Sequence, residues 1–248
     1  MSRKATAALL GAVLAAALAY TAQAGVSSRG GPCASYHPRL PSPSRFAKAI
    51  RNPYFPLQPG FTFVYRGAEN GKKELDRMHV TRRTRVIAGI TATVVSDNVY
   101  EPPGKLIEKT FDYYAQDDRG NVWYLGEDTK ELLAGGKVDR SGSWLAGRNG
   151  GKPGLIMEAD PRVPDAYRQE CLSGEAEDVA WVVGRGGSER VPVGRFHDVV
   201  RTLEFSPLEP AVVERKVYAR GVGVIFEQQL SGGHETLKLV RVTGRGRA

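Results

Sequence analysis

Four carboxylates cluster around a short aromatic run in the middle of the chain, where Asp112, Asp117, Asp118 and Glu127 bracket Trp123-Tyr124. Two such groups held roughly 5–10 Å apart across a cleft are the acid and base of glycoside hydrolysis, so a carbohydrate or cell-wall hydrolase is one reading of this segment. Asp117, Asp118, Glu127 and Asp128 also offer the oxygen ligands that calcium takes, but without the alternating acids and twelfth-position glutamate of an EF-hand. The run Asp117-Asp118-Arg119-Gly120-Asn121 is equally what a tight β-turn requires, since Asp and Asn tolerate turn backbones and Gly takes positive φ. The turn is the expected structure.

Other chemistries find less support. The four histidines, His37, His79, His197 and His234, contain no H-x-x-x-H pair, and no cysteine stands at a zinc-site spacing from them, so no metal is expected. His197, between Phe196 and Asp198, reads as a surface side chain of a strand. Gly150-Gly151-Lys152-Pro153-Gly154 lacks the residue order of a phosphate loop, and Pro153 removes a backbone donor such a cradle would use. It reads as a flexible loop. No G-x-S-x-G nucleophile elbow is present, and no cofactor is expected.

Two groups of side chains could bind rather than react. In an extended strand Arg77, His79, Arg83 and Arg85 share one face by the period of two, and that face could meet an anionic polymer. A solvated sheet face or a charged, aggregation-resistant edge explains the same residues. Phe111, Tyr113, Trp123 and Tyr124 put apolar bulk on both faces of their strands, so they either fill a core or line an apolar cavity.

The elements that must position these residues follow from the rest of the chain. Arg3 and Lys4, an apolar run from Ala7 to Ala19, and Ala22-Gln23-Ala24 form a secretory signal peptide, residues 1–24, with cleavage expected after Ala24. The apolar run is shorter than the roughly 20 residues a spanning helix needs, and no later run is longer, so no transmembrane segment is expected after cleavage. Cys33 lies too far past the apolar run for a lipoprotein cysteine. An exported, periplasmic or extracellular protein is expected, and in that compartment Cys33 can pair with Cys171. Loss of Arg3 and Lys4 lowers the formal net charge from +8 to +6, spread along the chain, which suits mild attraction to anionic surfaces and does not call for nucleic acid as a partner.

Residues 25–60 form a Pro/Gly-rich leader and strap. Its first part, 25–45, reads as poorly ordered, followed by a helical turn from Phe46 to Ile50 and a stiff strap, Asn52-Pro53-Tyr54-Phe55-Pro56-Leu57-Gln58-Pro59-Gly60. From Phe61 on, short β-branched and aromatic runs alternate with turn residues, Asn70-Gly71 being a hairpin signal, with strands assigned separately to 121–126 and 131–133 and a single strand to 190–205. The expected fold is therefore all-β, one domain over 61–248, an antiparallel meander of ten to twelve strands forming a barrel, half-barrel or sandwich. Arg85-Val86-Ile87-Ala88-Gly89 with Val94-Val95, and Arg190-Val191-Pro192-Val193-Gly194 with Val199-Val200, echo each other, and each leads on to Tyr-Ala at 114–115 and 218–219. This hints at two similar halves.

The segments Asn52 to Gly60, Tyr113 to Thr129 (YYAQDDRGNVWYLGEDT) and Tyr218-Ala-Arg-Gly-Val-Gly-Val224 resemble those of a group of uncharacterised secreted bacterial β-proteins. The last segment is also similar to the closing strands of exported half-barrel lipoproteins. The resemblance implies export and β architecture and transfers no catalytic residues. The function expected from these readings is a non-enzymatic exported β-protein that binds a small apolar or amphiphilic ligand or an envelope component, the hydrolase and the anionic-polymer binder being the alternatives.

Overall fold

The computed structural model describes residues 33–244, so the signal peptide read at 1–24 lies outside the described residues. Nineteen strands occur among the described residues. The strap forms a small hairpin of β1 (Ile50–Asn52) and β2 (Phe55–Leu57). A four-strand meander follows: β3 (Thr62–Glu69), β4 (Lys72–Ile87), β5 (Ile90–Glu101) and β6 (Lys105–Gln116), then β7 (Val122–Leu132) with the short β8 (Val138–Asp139) and β9 (Trp144–Leu145) on its edge. Next come β10 (Lys152–Met157), β11 (Ala166–Arg168) and β12 (Glu170–Cys171). The last third holds β13 (Val179–Arg185), β14 (Ser188–Val191), β15 (Gly194–His197), β16 (Val199–Phe205), β17 (Val213–Ala219), β18 (Gly223–Ser231) and β19 (Glu235–Thr243).

The main sheet runs β11-β13-β16-β17-β18-β19-β3-β4-β5-β6-β7-β10-β12, and every pairing in it is antiparallel. Its two ends are neighbours in sequence. Ala166–Arg168 pairs with β13, and two residues later Glu170–Cys171 pairs with β10, so one segment joins both edges and nearly closes the sheet into a barrel. Closure needs the two backbones close together: a Cβ on Gly154 would lie 2.2 Å from the Gln169 carbonyl oxygen, so only glycine fits there.

Local sequence sets the turns and bends. Asn70-Gly71 and Ala88-Gly89 both place two residues at positive φ (47° and 82°, 47° and 80°), the type I′ geometry whose twist matches the flanking strands. Bulges re-aim side chains. The irregularity between β6 and β7 lets Tyr124 and Glu127, three residues apart, both point inward, and Gly126 at φ 136° makes it possible because a Cβ there would meet the Trp144 carbonyl at 2.4 Å.

The strap crosses one end of the barrel. The Ala47 N–H donates to the Gln116 carbonyl at 2.8 Å on one side, and the Gly221 N–H donates to the Pro53 carbonyl at 2.7 Å on the other. Between these anchors Phe55 enters the barrel against Tyr114 (5.3 Å between centroids) and Tyr218 (6.5 Å). Asn52 is its lock: the side-chain amide donates to the Gly120 and Glu158 carbonyls, and its oxygen accepts from the Tyr54 and Phe55 N–H groups. These aromatics with Tyr65, Tyr124 and Leu57 form the upper core.

Several local expectations change. Residues 33–45 are tied down, by the Cys33–Cys171 disulfide (Cα–Cα 5.5 Å) and by Lys152, whose ammonium donates to the carbonyls of Cys33 and Tyr36 at 2.7 and 2.6 Å. The helical turn falls at Pro43–Arg45, not at 46–50, because Phe46 pairs in a bridge with Asp117. Lys152 to Gly154, read as loop, begins β10, and the two strands expected at 121–126 and 131–133 are one bulged strand. The single strand expected over 190–205 is broken twice, at the Pro192-Val193 turn and at Asp198 (φ 54°). The β14–β15 hairpin projects from the main sheet there, although hydrogen bonds from the Gly186 N–H to the Val199 carbonyl and from the Asp198 N–H to the Gly187 carbonyl keep it continuous with β13 and β16. The two echoed segments thus both stand at the tip of a long hairpin, and the strand orders that follow, β4-β5-β6-β7 and β13-β16-β17-β18, are alike.

The disulfide closes a loop of 138 residues in sequence, for which chain entropy gives about 4–5 kcal/mol as an upper figure. Reduction, or Cys171→Ser, is expected to lower the urea midpoint and to steepen the denaturant slope, because the unfolded chain without the crosslink exposes more surface. An unchanged midpoint would mean that the clip adds nothing to the fold.

Candidate functional site

Closure of the sheet sends every second side chain into one interior, and below the strap the chain fills that interior with carboxyls. In β4, Glu74 and Asp76 continue the inward face of Met78 and Val80; in β5, Asp97 stands between Val95 and Val99; in β6 and β7, Glu108 and Asp112 face Glu131 and Glu127 across the ladder. Glu204, Glu214 and Glu227 come from β16 to β18, and Glu235 opens β19. All are buried, and Lys216 is the one buried basic side chain among the described residues. Exposure is 7–8 % at Glu74, Glu131 and Glu214, near the end opposite the strap, and 0 % at Asp76, Asp97 and Asp112.

A low-dielectric enclosure cannot hold so many negative charges, so protons or cations must balance them. Lys216 balances one. Its ammonium lies 3.1 Å from Glu204 Oε2, with Glu227 Oε2 at 3.8 Å and Glu214 Oε2 at 3.9 Å. Burial by itself would raise the Glu204 pKa, but Lys216 and hydrogen bonds from Thr202, Tyr218 and Gln169 outweigh it and hold this carboxylate below its ordinary value. Burial likewise opposes the charge on Lys216, and its carboxylate neighbours overcome that.

The others shift upward. Burial first, then each other's charge, drives Asp112 and Glu127 well above the carboxylate range. Tyr124 Oη lies 2.7 Å from Asp112 Oδ1 and 3.1 Å from Glu127 Oε2. A phenol has one proton to give, so a second hydrogen bond in this bridge requires a protonated carboxyl. Asp76 and Asp97 form another coupled pair, both raised chiefly by burial, with no side-chain partner outside the pair. Glu74 and Asp178 are pushed up to about 7, again mainly by burial. Glu227 and Glu235 are raised by burial and neighbouring glutamates.

A second feature lies outside this interior, at the strapped end. An open groove of about 470 Å³ runs between the strap (Pro56, Gln58), the start of β3 (Phe61, Phe63), the tip of the β14–β15 hairpin (Val193, Phe196), Val222 and the end of β19 (Arg241, Val242). Its walls are mostly apolar. Arg241 stands exposed at its edge, and the Arg82 guanidinium packs beside Gly60, next to Phe61.

The residues singled out from sequence are dispersed over this architecture. Asp112 and Glu127 meet inside the barrel, 0 % and 2 % exposed; Glu127 also borders an open pocket of about 270 Å³ between Arg85, Trp144 and Arg148, which Asp112 does not line. Asp117 is a turn residue whose carboxylate accepts from the Arg119 and Asn121 N–H groups and from Trp123 Nε1, and Asp118 pairs with Arg45 at the surface. Of the four aromatics, Tyr124 is interior, stacked on Tyr114 at 4.7 Å, and Trp123 is buried and held by Asp117. Phe111 and Tyr113 lie on the opposite face of β6 from Asp112, where Arg83 and Lys109 lie over the first and Arg85 covers the second, which is itself buried. The four do not converge. Arg83 and Arg85 share this basic-aromatic face, and Arg77 lies further along β4, opposite Val64. The interior acids Glu74, Asp76, Asp97, Glu204, Glu227 and Glu235 escaped notice, although an acid in register with Met78 and Val80 was the signal that would have found them.

A carboxyl raised in the folded chain binds its proton more tightly there than when unfolded, so its burial costs little at low pH and more as pH climbs from the unfolded value, about 4, through the folded one. For Glu74 and Asp178 that window ends at about 7. Glu204 acts oppositely, but only in acid below the ordinary carboxylate range. The thermal midpoint of metal-free protein is therefore expected to fall steadily between about pH 5 and about pH 8. A midpoint that climbs across this interval would show the interior acids to be ionised.

No protein-family model and no curated protein matches the chain. Among solved structures it is similar to a candidate exported protein of YmcC-like fold from Bacteroides fragilis, at 16% identity and TM-score 0.46 over 77% of this chain and 98% of that one. It is also similar to a candidate lipoprotein from Parabacteroides distasonis, at 10% identity and TM-score 0.41 over 79% and 100%.

Proposed function

We propose that this is an exported, non-enzymatic β-barrel protein that binds a single-chain amphiphile with an anionic head group in the groove at its strapped end. The groove carries the reading. Its volume lies in the range of small-molecule sites, its walls are apolar side chains from the strap, the β14–β15 hairpin and two barrel strands, and Arg241 and Arg82 stand where a negative head would emerge. Each methylene moved from water into such walls contributes about 0.8 kcal/mol, so a saturated chain supplies affinity and the arginines select the head. Export is supported by the signal-like segment at 1–24 and by the disulfide, a bond of oxidising compartments. In this reading residues 25–60 serve the barrel domain, 61–248, as the leader that clips on and the strap that forms one wall of the groove.

A second reading has its own observation. Arg83, Arg85 and Lys109 are laid over Phe111 and Tyr113 on the outer face of β4 to β6, a rigid basic surface suited to an anionic polymer of the envelope. Binding of that kind weakens steeply with salt.

Titration with dodecanoate and with dodecyltrimethylammonium, read by calorimetry, separates the readings. Dodecanoate is expected to bind and the cation not. Phe196→Asp is expected to abolish binding, and Arg241→Glu to remove the preference for the anion. Equal binding of both amphiphiles, or dodecanoate affinity untouched by Phe196→Asp, would refute the groove.

A further inference from the structure

We propose that Glu214, Glu227 and Glu235 form a binding site for one hard divalent cation, with calcium the best match, at the end of the barrel opposite the strap. The three carboxylates come from β17, β18 and β19, adjacent strands of the sheet, and one oxygen from each lies within 4.8 Å of the others. Two oxygens that each touch calcium at about 2.4 Å can stand no more than about 4.8 Å apart, and every pair in this set meets that limit.

A separate observation points the same way. Glu227 Oε2 and Glu235 Oε2 have no hydrogen-bond donor, although both side chains are only 2 % exposed. Buried carboxylate oxygens are normally satisfied, and a cation satisfies them at once. Lys216 does not do so: its short contact, 3.1 Å, is to Glu204, and it stands 3.8–3.9 Å from the nearest oxygens of Glu227 and Glu214. Lys216 and Glu204 thus cancel, and a dication that displaces the protons of the remaining three carboxyls largely neutralises the charge they then carry. The donors are all oxygen, with no imidazole or thiolate in the group, which selects calcium-like ions over zinc or copper.

Glu214 and Glu235 stand at the starts of β17 and β19, and Glu235 borders an open surface pocket of about 460 Å³ that gives an ion a way in. The site is distinct from the amphiphile groove and does not depend on it.

The test is calorimetric titration of chelator-treated protein with calcium at neutral pH, with native mass spectrometry for stoichiometry. One ion per chain is expected, with a rise in thermal midpoint that grows with calcium concentration. Glu227→Gln and Glu235→Gln are each expected to weaken binding about tenfold or more, since affinity follows ligand charge. Glu175→Gln, in an exposed loop, is expected to leave it unchanged. Absence of saturable calcium binding to the wild-type protein, or wild-type affinity in the folded Glu227→Gln and Glu235→Gln variants, would overturn the assignment.

Discussion

An antiparallel sheet that closes on itself must deliver alternate residues of every strand to one shared interior, and this constraint governs the rest of the molecule. The segment at 166–171 meets it by pairing with both edges in turn. The inward positions are then divided. Near the strap they carry Tyr65, Tyr114, Tyr124 and Tyr218, which Phe55 and Tyr54 complete from above; beyond it they carry carboxyls. The aromatic half supplies the hydrophobic burial that lets the fold tolerate its acidic half.

The acidic half is organised around its shortage of positive charge. Lys216 and the donors around Glu204 stabilise one carboxylate fully, and the pairs Asp112–Glu127 and Asp76–Asp97 share what protons they hold. Such an arrangement is mostly enclosed, with Glu127 bordering a surface pocket. It suits binding of something positive, with protonation as the competing state.

The fold was legible in the sequence because alternation and turn chemistry are local. Asn70-Gly71 sits in the turn it was read to make, and the strands from residue 61 onward run antiparallel as their spacing implies. The cysteine pair is likewise joined. What alternation does not tell is which face closes inward when acids occupy it, since Glu74 and Asp76 look like a solvated face until the sheet is seen to curl. A bulge hid one aromatic for a related reason: the irregularity at Gly126 lets Tyr124 point inward together with Glu127, three residues away, against simple alternation, while Phe111 and Tyr113 alternate in β6 with the inward Asp112 and Tyr114. The groove was invisible because its walls come from segments far apart in sequence, although Phe61 and Phe63 belong to the conspicuous aromatic set.

The echo between 85–127 and 190–227 has a physical counterpart in the strap. Tyr114 and Tyr218, the corresponding tyrosines of the two segments, are the rings that flank Phe55, and each lies beside interior carboxyls. The two echoed tyrosines thus grip one inserted side chain. The central claim, that the interior beneath this grip is a store of buried, largely protonated carboxyls, is tested most directly by infrared difference spectroscopy of the carboxyl C=O stretch in metal-free protein. A protonated-carboxyl band that persists at neutral pH and disappears on unfolding is the predicted result. A spectrum showing only ionised carboxylates in the folded protein at neutral pH would contradict the account.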